Sequence, residues 1–326
     1  MSSNGNPCIL YGELYTKYKS EIISEVISKT NIEKNKLKHS KQNDVIIPCS
    51  GETAVDIAVA RCVPFDNVLL GGDLNIIRLH KYDGAFMAYQ LNSKRKIEIA
   101  KLAQGVSVVH LYGENLKSIN TFNPSLQEQQ KIVRLLSLLD ERIKVQNKII
   151  EDLKKLKSAI RKRVFTSLKN EHTENCEINQ LLAYEQPSAY IVANDEYSAD
   201  TTLTPVLTAN KGFVLGYTNE DFGIYQKGEC IIFDDFTMDT KYVSFPFKVK
   251  SSAIKILTAK PNVNLRFMFE YLLYLELKSE EHKRHYISEI ASLVIKLPLK
   301  EKQNRIAYLM TSLDNKLVLE ENIMAK

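Results

Sequence analysis

Apolar residues recur every three or four positions through a long stretch in the middle of the chain. Between Ile132 and Val164 they form one stripe on a helix. No Gly or Pro interrupts residues 126–168, and Pro124 and Ser125 before them suit a helix start. At about 1.5 Å per residue, the pattern predicts a helix of about 65 Å. A stripe of this length needs a helical partner.

A second copy of this pattern supplies the natural partner. The stretch from Pro298 aligns without gaps with the stretch from Pro124. The identical pairs are Pro124/Pro298, Gln129/Gln303, Ile132/Ile306, Leu135/Leu309, Leu139/Leu313, Asp140/Asp314 and Ile149/Ile323. The repeat predicts two related spacer helices, the second of roughly 42 Å by the same rise.

Short β-rich runs with Gly, Pro, Asn and Asp between them fill the rest of the chain. The runs are residues 7–16, 44–48, 67–72 and 74–79, then 204–209, 212–219, 229–235, 242–250 and 251–257. Each part also contains one amphipathic stretch, near 87–103 and near 264–280. We therefore predict an α+β protein with two small mixed-sheet domains, 1–123 and 169–297, and spacer helices at 124–168 and 298–326.

The two predicted domains are loosely similar to each other. Pro7–Leu10 can be laid on Pro205–Thr208, and Asp44–Ile47 on Glu229–Ile232. On this alignment about 35 residues precede the matched position in the second domain and only 6 in the first, so we expect the first domain to be short by roughly 30 residues at its start. Two such domains held apart by paired helices would contact two DNA half-sites. These half-sites would lie about one helical turn of DNA, roughly 34 Å, from each other. Because the domains differ in sequence, the two half-sites should differ as well.

The net charge of the chain is compatible with a nucleic-acid partner but does not require one. The chain has 44 Lys and Arg against 39 Asp and Glu, a net charge of +5. Residues 131–169 hold twelve basic and four acidic residues. Their densest cluster is Lys154, Lys155, Lys157, Arg161, Lys162 and Arg163. This cluster either lies along DNA phosphates or forms a solvated or partner-docking face of the helix.

Motifs for catalysis or secretion are absent from the sequence. The five cysteines are scattered without a C-x-x-C pair, which is typical of reduced thiols in the cytoplasm. No P-loop and no F-x-G-x-G cofactor motif occurs, so a fused methyltransferase is disfavoured. For Asp234-Asp235 a nuclease pair is a weaker interpretation than a turn. For His282 and His285 a metal site is a weaker interpretation than phosphate contacts. We expect no catalytic and no metal site.

The repeated stretch is similar to the conserved spacers of type I restriction–modification specificity subunits. It carries P-x-x-x-E-Q-x-K-I from Pro124, then L-x-x-L-D-x-x-I through Asp140 to Ile143. The copy from Pro298 has Glu301-Lys302-Gln303 where the family usually has adjacent Glu-Gln. Strings within the two domains resemble target-recognition domains of the same family: residues 11–18, 50–58, 71–79 and 103–111, then 184–192, 204–218 and 231–237. The resemblance covers essentially the whole chain, with both termini shortened relative to the family pattern.

This resemblance implies a non-catalytic subunit that reads a bipartite, asymmetric DNA site. It implies an antiparallel coiled coil between the domains and assembly with two methyltransferase subunits and with restriction subunits. S-adenosylmethionine, ATP and magnesium would bind to those partners. The alternatives are a coiled-coil adaptor with no DNA role and a silent or recombining specificity cassette without full activity.

Two sets of residues are candidates for the contacts with DNA and with the spacer or partner. The DNA candidates are polar residues beside strands: Tyr15, Lys17, Tyr18, Ser50, Thr53, Gln104, Ser107, His110, Thr208, Lys211, Tyr217, Asp235, Thr237 and Lys241. The spacer or partner candidates are Glu128, Gln129, Ile132, Leu136, Leu139, Asp140, Ile143, Gln303, Ile306, Leu309, Leu313 and Asp314.

Overall fold

The structure is a computed structural model that describes residues 5–33, 35, 37–170, 173–210, 212–278 and 286–325. The chain divides into two compact units, residues 1–145 and 146–326. The boundary falls inside the long helix α6 (Leu126–Ser167). The predicted α+β class and both long helices are confirmed, and each unit is described by itself.

Unit 1 contains three small sheets and short helices. Its strands are β1 (Asn6–Ile9), β2 (Ser28–Thr30), β3 (Lys38–His39), β4 (Asp44–Pro48), β5 (Ser50–Gly51), β6 (Arg61–Val63), β7 (Leu69–Leu70), β8 (Leu74–Ile77) and β9 (Val109–His110). Its helices before α6 are α1 (Glu13–Thr16), α2 (Ala54–Ile57), α3 (Gly84–Asn92), α4 (Lys96–Ala100) and α5 (Gly113–Leu116). The sheet orders are β2-β1-β7-β3, β6-β4-β8 and β5-β9.

Unit 2 repeats this plan with longer strands. Its strands are β10 (Glu174–Glu177), β11 (Leu182–Glu185), β12 (Thr204–Leu207), β13 (Val214–Thr218), β14 (Cys230–Asp234), β15 (Thr240–Val243), β16 (Lys248–Val249), β17 (Ile254–Ala259) and β18 (Val294–Leu297). Its helices besides α6 are α7 (Ile178–Leu181), α8 (Leu265–Tyr274) and α9 (Lys300–Ala325). The sheet orders are β11-β17-β14-β15, β13-β12-β16 and β10-β18.

The strand pairings confirm that the two units are related. In unit 1, β1 runs parallel to β7, with Cys8 opposite Leu69. In unit 2, β12 runs parallel to β16, with Val206 opposite Lys248. The fully buried strand β4 lies between β6 and β8, as β14 lies between β15 and β17. The predicted alignment of Pro7–Leu10 with Pro205–Thr208 therefore matches equivalent strands.

Three sequence-based boundaries were wrong, each for a local reason. The run 7–16 is a strand only to Ile9, because the chain then turns into α1 and the Glu13 carboxylate accepts a hydrogen bond from the Leu10 N–H. The stretch 87–103 forms two helices, since Ser93 has ψ −103° and ends α3. The run 242–250 breaks at Phe245-Pro246, because proline has no N–H to donate to a neighbouring strand.

A buried glutamine joins each spacer helix to the main helix of its own unit. The Gln129 side chain donates to Pro124 O (2.8 Å) and accepts from the Asp83 N–H (2.9 Å). The Gln303 side chain makes the same pair of bonds, to Pro298 O (2.9 Å) and from the Asn264 N–H (2.9 Å). Both glutamines are at most 1% exposed. We call this arrangement the glutamine contact.

The glutamine contact attaches to a helix cap in both units. The Asp83 carboxylate accepts from the Phe86 N–H at the start of α3. The Asn264 side chain accepts from the Phe267 N–H at the start of α8. Capping side chains of this type satisfy donors that the first helical turn leaves open. Phe86 and Phe267 each lie three residues after the capping residue, so they occupy equivalent positions in the two units.

In unit 2 the second half of α6 packs antiparallel against α9. The Gln146 side chain donates to Glu320 Oε2 (2.8 Å), and Lys157 Nζ lies 2.5 Å from Asp314 Oδ1. Later positions on α6 thus meet earlier positions on α9. Farther along, Phe165 belongs to one buried cluster with Met310. The antiparallel helix pair implied by the resemblance is confirmed within this unit.

A buried carboxylate stabilises this packing. Glu270 on α8 is fully buried and forms ion pairs with Lys157 (3.2 Å), Arg161 (2.8 Å) and Arg266 (2.9 Å). Arg266 and Lys157 also contact Asp314 on α9. Charges on α6, α8 and α9 therefore neutralise one another around a fully buried carboxylate, where an unpaired charge would be costly.

We predict that Gln129→Ala lowers the free energy of unfolding by about 1–3 kcal/mol, because it leaves a backbone donor and a backbone acceptor without their partner. Urea unfolding followed by far-ultraviolet circular dichroism measures the effect. The matched control is Gln130→Ala, since Gln130 is exposed on the same helical turn. Equal stability of the two variants would show that the glutamine contact contributes nothing.

We predict that Glu270→Ala destabilises unit 2 by about 3–5 kcal/mol, because Asp314 alone then remains to balance three largely buried cations. Glu321→Ala removes an equal charge from an exposed ion pair with Lys154 and should cost less than about 1 kcal/mol. Thermal melting of both variants tests the contrast. A larger loss for Glu321→Ala would contradict it.

Burial also protects two thiols. It raises the pKa of Cys62 and of Cys230 to about 12, so the reactive thiolate is scarce at pH 8. We predict that iodoacetamide at pH 8 modifies the half-buried Cys176 well before Cys62 and Cys230 in the folded protein. Peptide mass spectrometry resolves the three sites. Denaturant should abolish the difference, and early labelling of Cys62 would contradict the prediction.

Candidate nucleic-acid interface

Strand pairing in unit 1 brings three of the predicted DNA contacts together. Ser50 on β5 lies opposite His110 on β9. Gln104 exchanges two backbone hydrogen bonds with His110, at 2.9 and 2.7 Å. Gln104 and His110 are exposed, whereas Ser50 is buried with its hydroxyl 3.2 Å from Asp73 Oδ2. The exposed pair offers hydrogen-bond donors and acceptors that suit base edges.

A tight turn presents the residues between Gln104 and His110. Gly105 has φ +120°, and a Cβ there would overlap the Val108 carbonyl oxygen, so only glycine fits. The turn leaves Val106 98% exposed and Ser107 exposed beside it. We call residues 104–110 the recognition turn of unit 1.

Other unit 1 candidates lie near this turn or in the core. An added Cβ on Gly51 would lie 3.5 Å from the Tyr15 hydroxyl, which places Tyr15 beside β5. Burial, followed by the charges nearby, raises the pKa of Tyr15, so it stays a neutral donor. Thr53 is exposed and caps α2, accepting from the Asp56 N–H (3.2 Å).

Two further candidates have structural contacts. Lys17 is bound to the Glu13 carboxylate at 2.7 Å, with its side chain 43% exposed. Tyr18 is 6% exposed in the core, and its hydroxyl accepts from the Ile27 N–H (3.2 Å). The prediction that Tyr18 contacts DNA was wrong, because its hydroxyl is used to hold a loop of the same unit.

In unit 2 the candidates divide between two hairpins. Thr208 and Tyr217 belong to the β12–β13 hairpin, where Thr208 is 8% exposed and Tyr217 is half-buried. Thr237 and Lys241 belong to the β14–β15 hairpin, with Thr237 exposed and Lys241 half-buried. Lys211, like His282 and His285, lies outside the described residues.

Asp235 does not belong to a binding surface. It is 1% exposed, accepts from the Tyr286 N–H (2.8 Å) and lies 3.4 Å from Lys255 Nζ. Its neighbour Asp234 accepts from the Phe236 and Thr237 N–H groups within the turn. The interpretations of Asp235 as a base-reading carboxylate and of the pair as a nuclease site were both wrong, because backbone donors and a lysine occupy these oxygens.

Exposed aromatic side chains near the candidates were missed by sequence reasoning. Tyr112 is 55% exposed and stacks on His110, with ring centroids 6.3 Å apart. Phe213 after the β12 turn meets Phe245, which is 40% exposed, at 6.4 Å. The sequence pattern that could have identified Phe213 and Phe245 is an aromatic residue next to a turn-forming residue, Gly212 or Pro246.

The basic cluster of α6 is mostly occupied within the protein. Lys154 pairs with Glu321, Lys155 with Glu151, and Lys157 and Arg161 with Glu270. Lys162 and Arg163 are exposed. Lys157 and Arg161 are therefore used within the protein. Lys154 and Lys155 form exposed ion pairs, so a role of the exposed basic residues along DNA phosphates stays a prediction.

The spacer candidates differ sharply between the two copies of the repeat. Gln129 and Gln303 are buried in the glutamine contact, where they hold the spacer helices to the domains. A contact of either glutamine with a partner subunit stays a prediction. Asp140 accepts from the Tyr89 hydroxyl (2.5 Å), while Asp314 binds Lys157 and Arg266. The remaining candidates are graded by exposure. Ile132, Leu139, Ile143, Leu309 and Glu128 are exposed, Leu136 and Leu313 are half-buried, and Ile306 is buried.

Two other features, a metal site and a membrane-spanning helix, are absent from the described residues. No three His, Cys, Asp or Glu side chains there come close enough together to hold a metal ion. No helix in that part of the chain has the length and apolar character required to cross a membrane.

The fold and the surface define a duplicated α+β protein, in which each copy carries its own polar face and its own spacer helix. The family model for the type I restriction modification DNA specificity domain matches the chain twice, over residues 2–155 and 170–326. The chain belongs to this family, and its two units correspond to two copies of the family domain.

Individual relatives agree with this assignment. The specificity subunit of the type I restriction enzyme EcoR124I/EcoR124II from Escherichia coli is 44% identical over 127 residues. That alignment covers 37% of this chain and 31% of the relative, so the chain matches about a third of that protein.

Two solved structures are similar to this chain. The S subunit of a type I restriction–modification system from M. genitalium has a TM-score of 0.67 at 17% identity, over 98% of this chain and 88% of that one, and shares its fold. The HsdS subunit from Thermoanaerobacter tengcongensis has a TM-score of 0.43 at 14% identity, over 97% and 84% of the chains.

Proposed function

We propose that this chain is the DNA-reading subunit of a type I restriction–modification complex and has no catalytic centre of its own. The observation that carries the proposal is a duplication with divergence. Both units keep the strand pairings around β1 and β4, or around β12 and β14, and both keep the glutamine contact, while their exposed polar residues differ. Two copies of one fold that expose different residues would suit the recognition of two different half-sites.

In unit 1 the reading surface is the recognition turn with its neighbours. Gln104 and His110 would contact base edges, and Ser107 would bond to a base or a phosphate. Val106 would meet an apolar group such as a thymine methyl. Because phosphate contacts usually outnumber base contacts, exposed residues around the turn would set position without setting sequence.

In unit 2 the reading surface is formed by the two hairpins that carry Tyr217, Thr237 and Lys241. The aromatic pair Phe213 and Phe245 would pack against sugar or a base edge beside them. Unit 2 contributes other residue types than unit 1, so its half-site would have a different sequence. The whole target is then asymmetric and bipartite.

The enzymatic steps would belong to the partners. Two methyltransferase subunits would bind S-adenosylmethionine, and restriction subunits would bind ATP and magnesium, with this chain directing them to the target. The printed name of the E. coli relative, a specificity subunit of a restriction enzyme, supports this assembly. We place the complex in the cytoplasm, with the cysteines of this chain reduced.

Methylation mapping tests the proposal directly. Single-molecule sequencing of genomic DNA with the gene present and deleted should show one split adenine-methylation motif that disappears on deletion. Restoring the gene should restore the motif. An unchanged methylation pattern, in a strain whose methyltransferase subunits are expressed, would overturn the proposal.

Variants of the recognition turn should change one half of that motif. We predict that Gln104→Ala or His110→Ala weakens binding of the assembled complex by about 5- to 150-fold, since one good base contact is worth roughly 1–3 kcal/mol. The relaxed positions should lie in a single half-site. Fluorescence anisotropy with DNA duplexes altered in either half measures this.

Two controls accompany this measurement. Lys117→Ala removes a 73% exposed side chain paired only locally with Glu114 and should leave affinity within about twofold. Tyr217→Ala in unit 2 should relax the other half-site. Equal loss at both halves for every variant would show that the units do not read separate sequences.

A further inference from the structure

His110 and Tyr112 form a pair of exposed rings at the end of the recognition turn. Residues 109–112 alternate between the core and the surface. Val109 and Leu111 are buried, whereas His110 is exposed and Tyr112 is 55% exposed. Alternate residues of an extended chain point to the same side. The two rings therefore share one face, with their planes at 21° and their centroids 6.3 Å apart.

Hydrogen bonds to the core hold this segment from both sides. The Leu111 N–H donates to Cys49 O (2.7 Å), and the Leu111 carbonyl accepts from the Asn75 side-chain amide (2.9 Å). His110 is held as well, by its two backbone hydrogen bonds with Gln104. The backbone that carries both rings is therefore ordered before DNA binds, and binding does not bear the cost of ordering it.

The Tyr112 hydroxyl is open to an external partner. Among the described residues it has no hydrogen-bond partner. By contrast, the Tyr89 hydroxyl donates to Asp140, and the Tyr190 hydroxyl donates to Glu185. A tyrosine hydroxyl both donates and accepts hydrogen bonds. It can therefore bond to the edge of a base in a groove of duplex DNA.

The separation of the two rings suits neighbouring base pairs. Base pairs are stacked about 3.4 Å apart, so two steps span about 6.8 Å, slightly more than the 6.3 Å between the ring centroids. Two planes at 21° can each lie close to the plane of a stacked base pair. The strands β5 and β9 form a short two-stranded ribbon, a shape that the major groove admits. Each ring can then present its polar atoms to a base pair of its own.

We propose that Tyr112 is a further specificity-determining residue of unit 1, and that it reads a base pair one or two steps from the one that His110 reads. The Tyr112 hydroxyl bonds to the base edge, while its ring limits the orientations that the His110 ring can take. Tyr112 therefore acts both by direct contact and by positioning His110. Since it requires that unit 1 binds DNA, this inference rests on the proposed function.

Two substitutions separate the contact from the positioning. Tyr112→Phe keeps the ring and removes the hydroxyl, so it should weaken discrimination at one base pair about two- to tenfold and leave the base pair read by His110 unaffected. Tyr112→Ala also removes the ring and should relax both base pairs. Fluorescence anisotropy of the assembled complex measures this, with duplexes that carry the motif found by methylation mapping and are altered at one base pair at a time.

Two further variants complete the measurement. His110→Ala identifies the base pair that His110 reads. Tyr82→Phe is the matched control, because Tyr82 is a 41% exposed tyrosine of unit 1 next to the capping residue Asp83. It should leave affinity and sequence preference within about twofold, as surface substitutions usually have small effects. Far-ultraviolet circular dichroism checks that each variant is folded, and Tyr112→Phe alone tests the contact if Tyr112→Ala is not.

The outcomes distinguish this inference from the proposed function. No sequence preference in the unaltered complex would overturn the proposed function, and the inference with it. A preference that survives both Tyr112 substitutions would overturn the inference alone. An equal loss of affinity on every duplex would assign the hydroxyl to a phosphate instead of a base. A relaxed base pair more than two steps from that of His110, or in the other half-site, would contradict the predicted spacing.

Discussion

The structure depends on one buried amide in each unit. Gln129 and Gln303 each satisfy a carbonyl before the spacer helix and an N–H at the cap of the domain helix. A buried polar side chain is tolerated only when its hydrogen bonds are made, so the geometry of three segments is set together. The direction in which each spacer helix leaves its domain follows from that requirement.

The related helical stripes of the two spacer copies have different environments in the two units. In unit 2 the stripe on α9 is covered by α6, and a network around Glu270 neutralises the charges that this packing encloses. In unit 1 the equivalent stripe is largely open, and Asp140 meets a neutral hydroxyl. Repeated sequence thus specifies a helix and its attachment, while the neighbouring elements decide what the helix binds.

The long elements could be predicted from sequence because their pattern is repeated over many turns. α6 and α9 follow from periodicity and from the missing Gly and Pro, and the buried strand β4 from a short apolar run. The break at Ser93 could not be predicted, since it depends on a single backbone angle. Tyr18 and Asp235 were misjudged because their partners, Ile27 N–H and Tyr286 N–H, are distant in sequence. The adjacency of Ser50, Gln104 and His110 likewise arises only from long-range strand pairing.

On the domain side, the glutamine contact touches only main-chain N–H groups, at Asp83 and at Asn264. A domain therefore needs only a capped helix start at this point to donate this hydrogen bond to the glutamine side chain. The bond does not depend on the identity of the domain's other side chains. The exposed residues of each domain are therefore free to change while this attachment stays constant. On the proposed function, a domain with other exposed residues would read another half-site and still hold its spacer helix in the same direction.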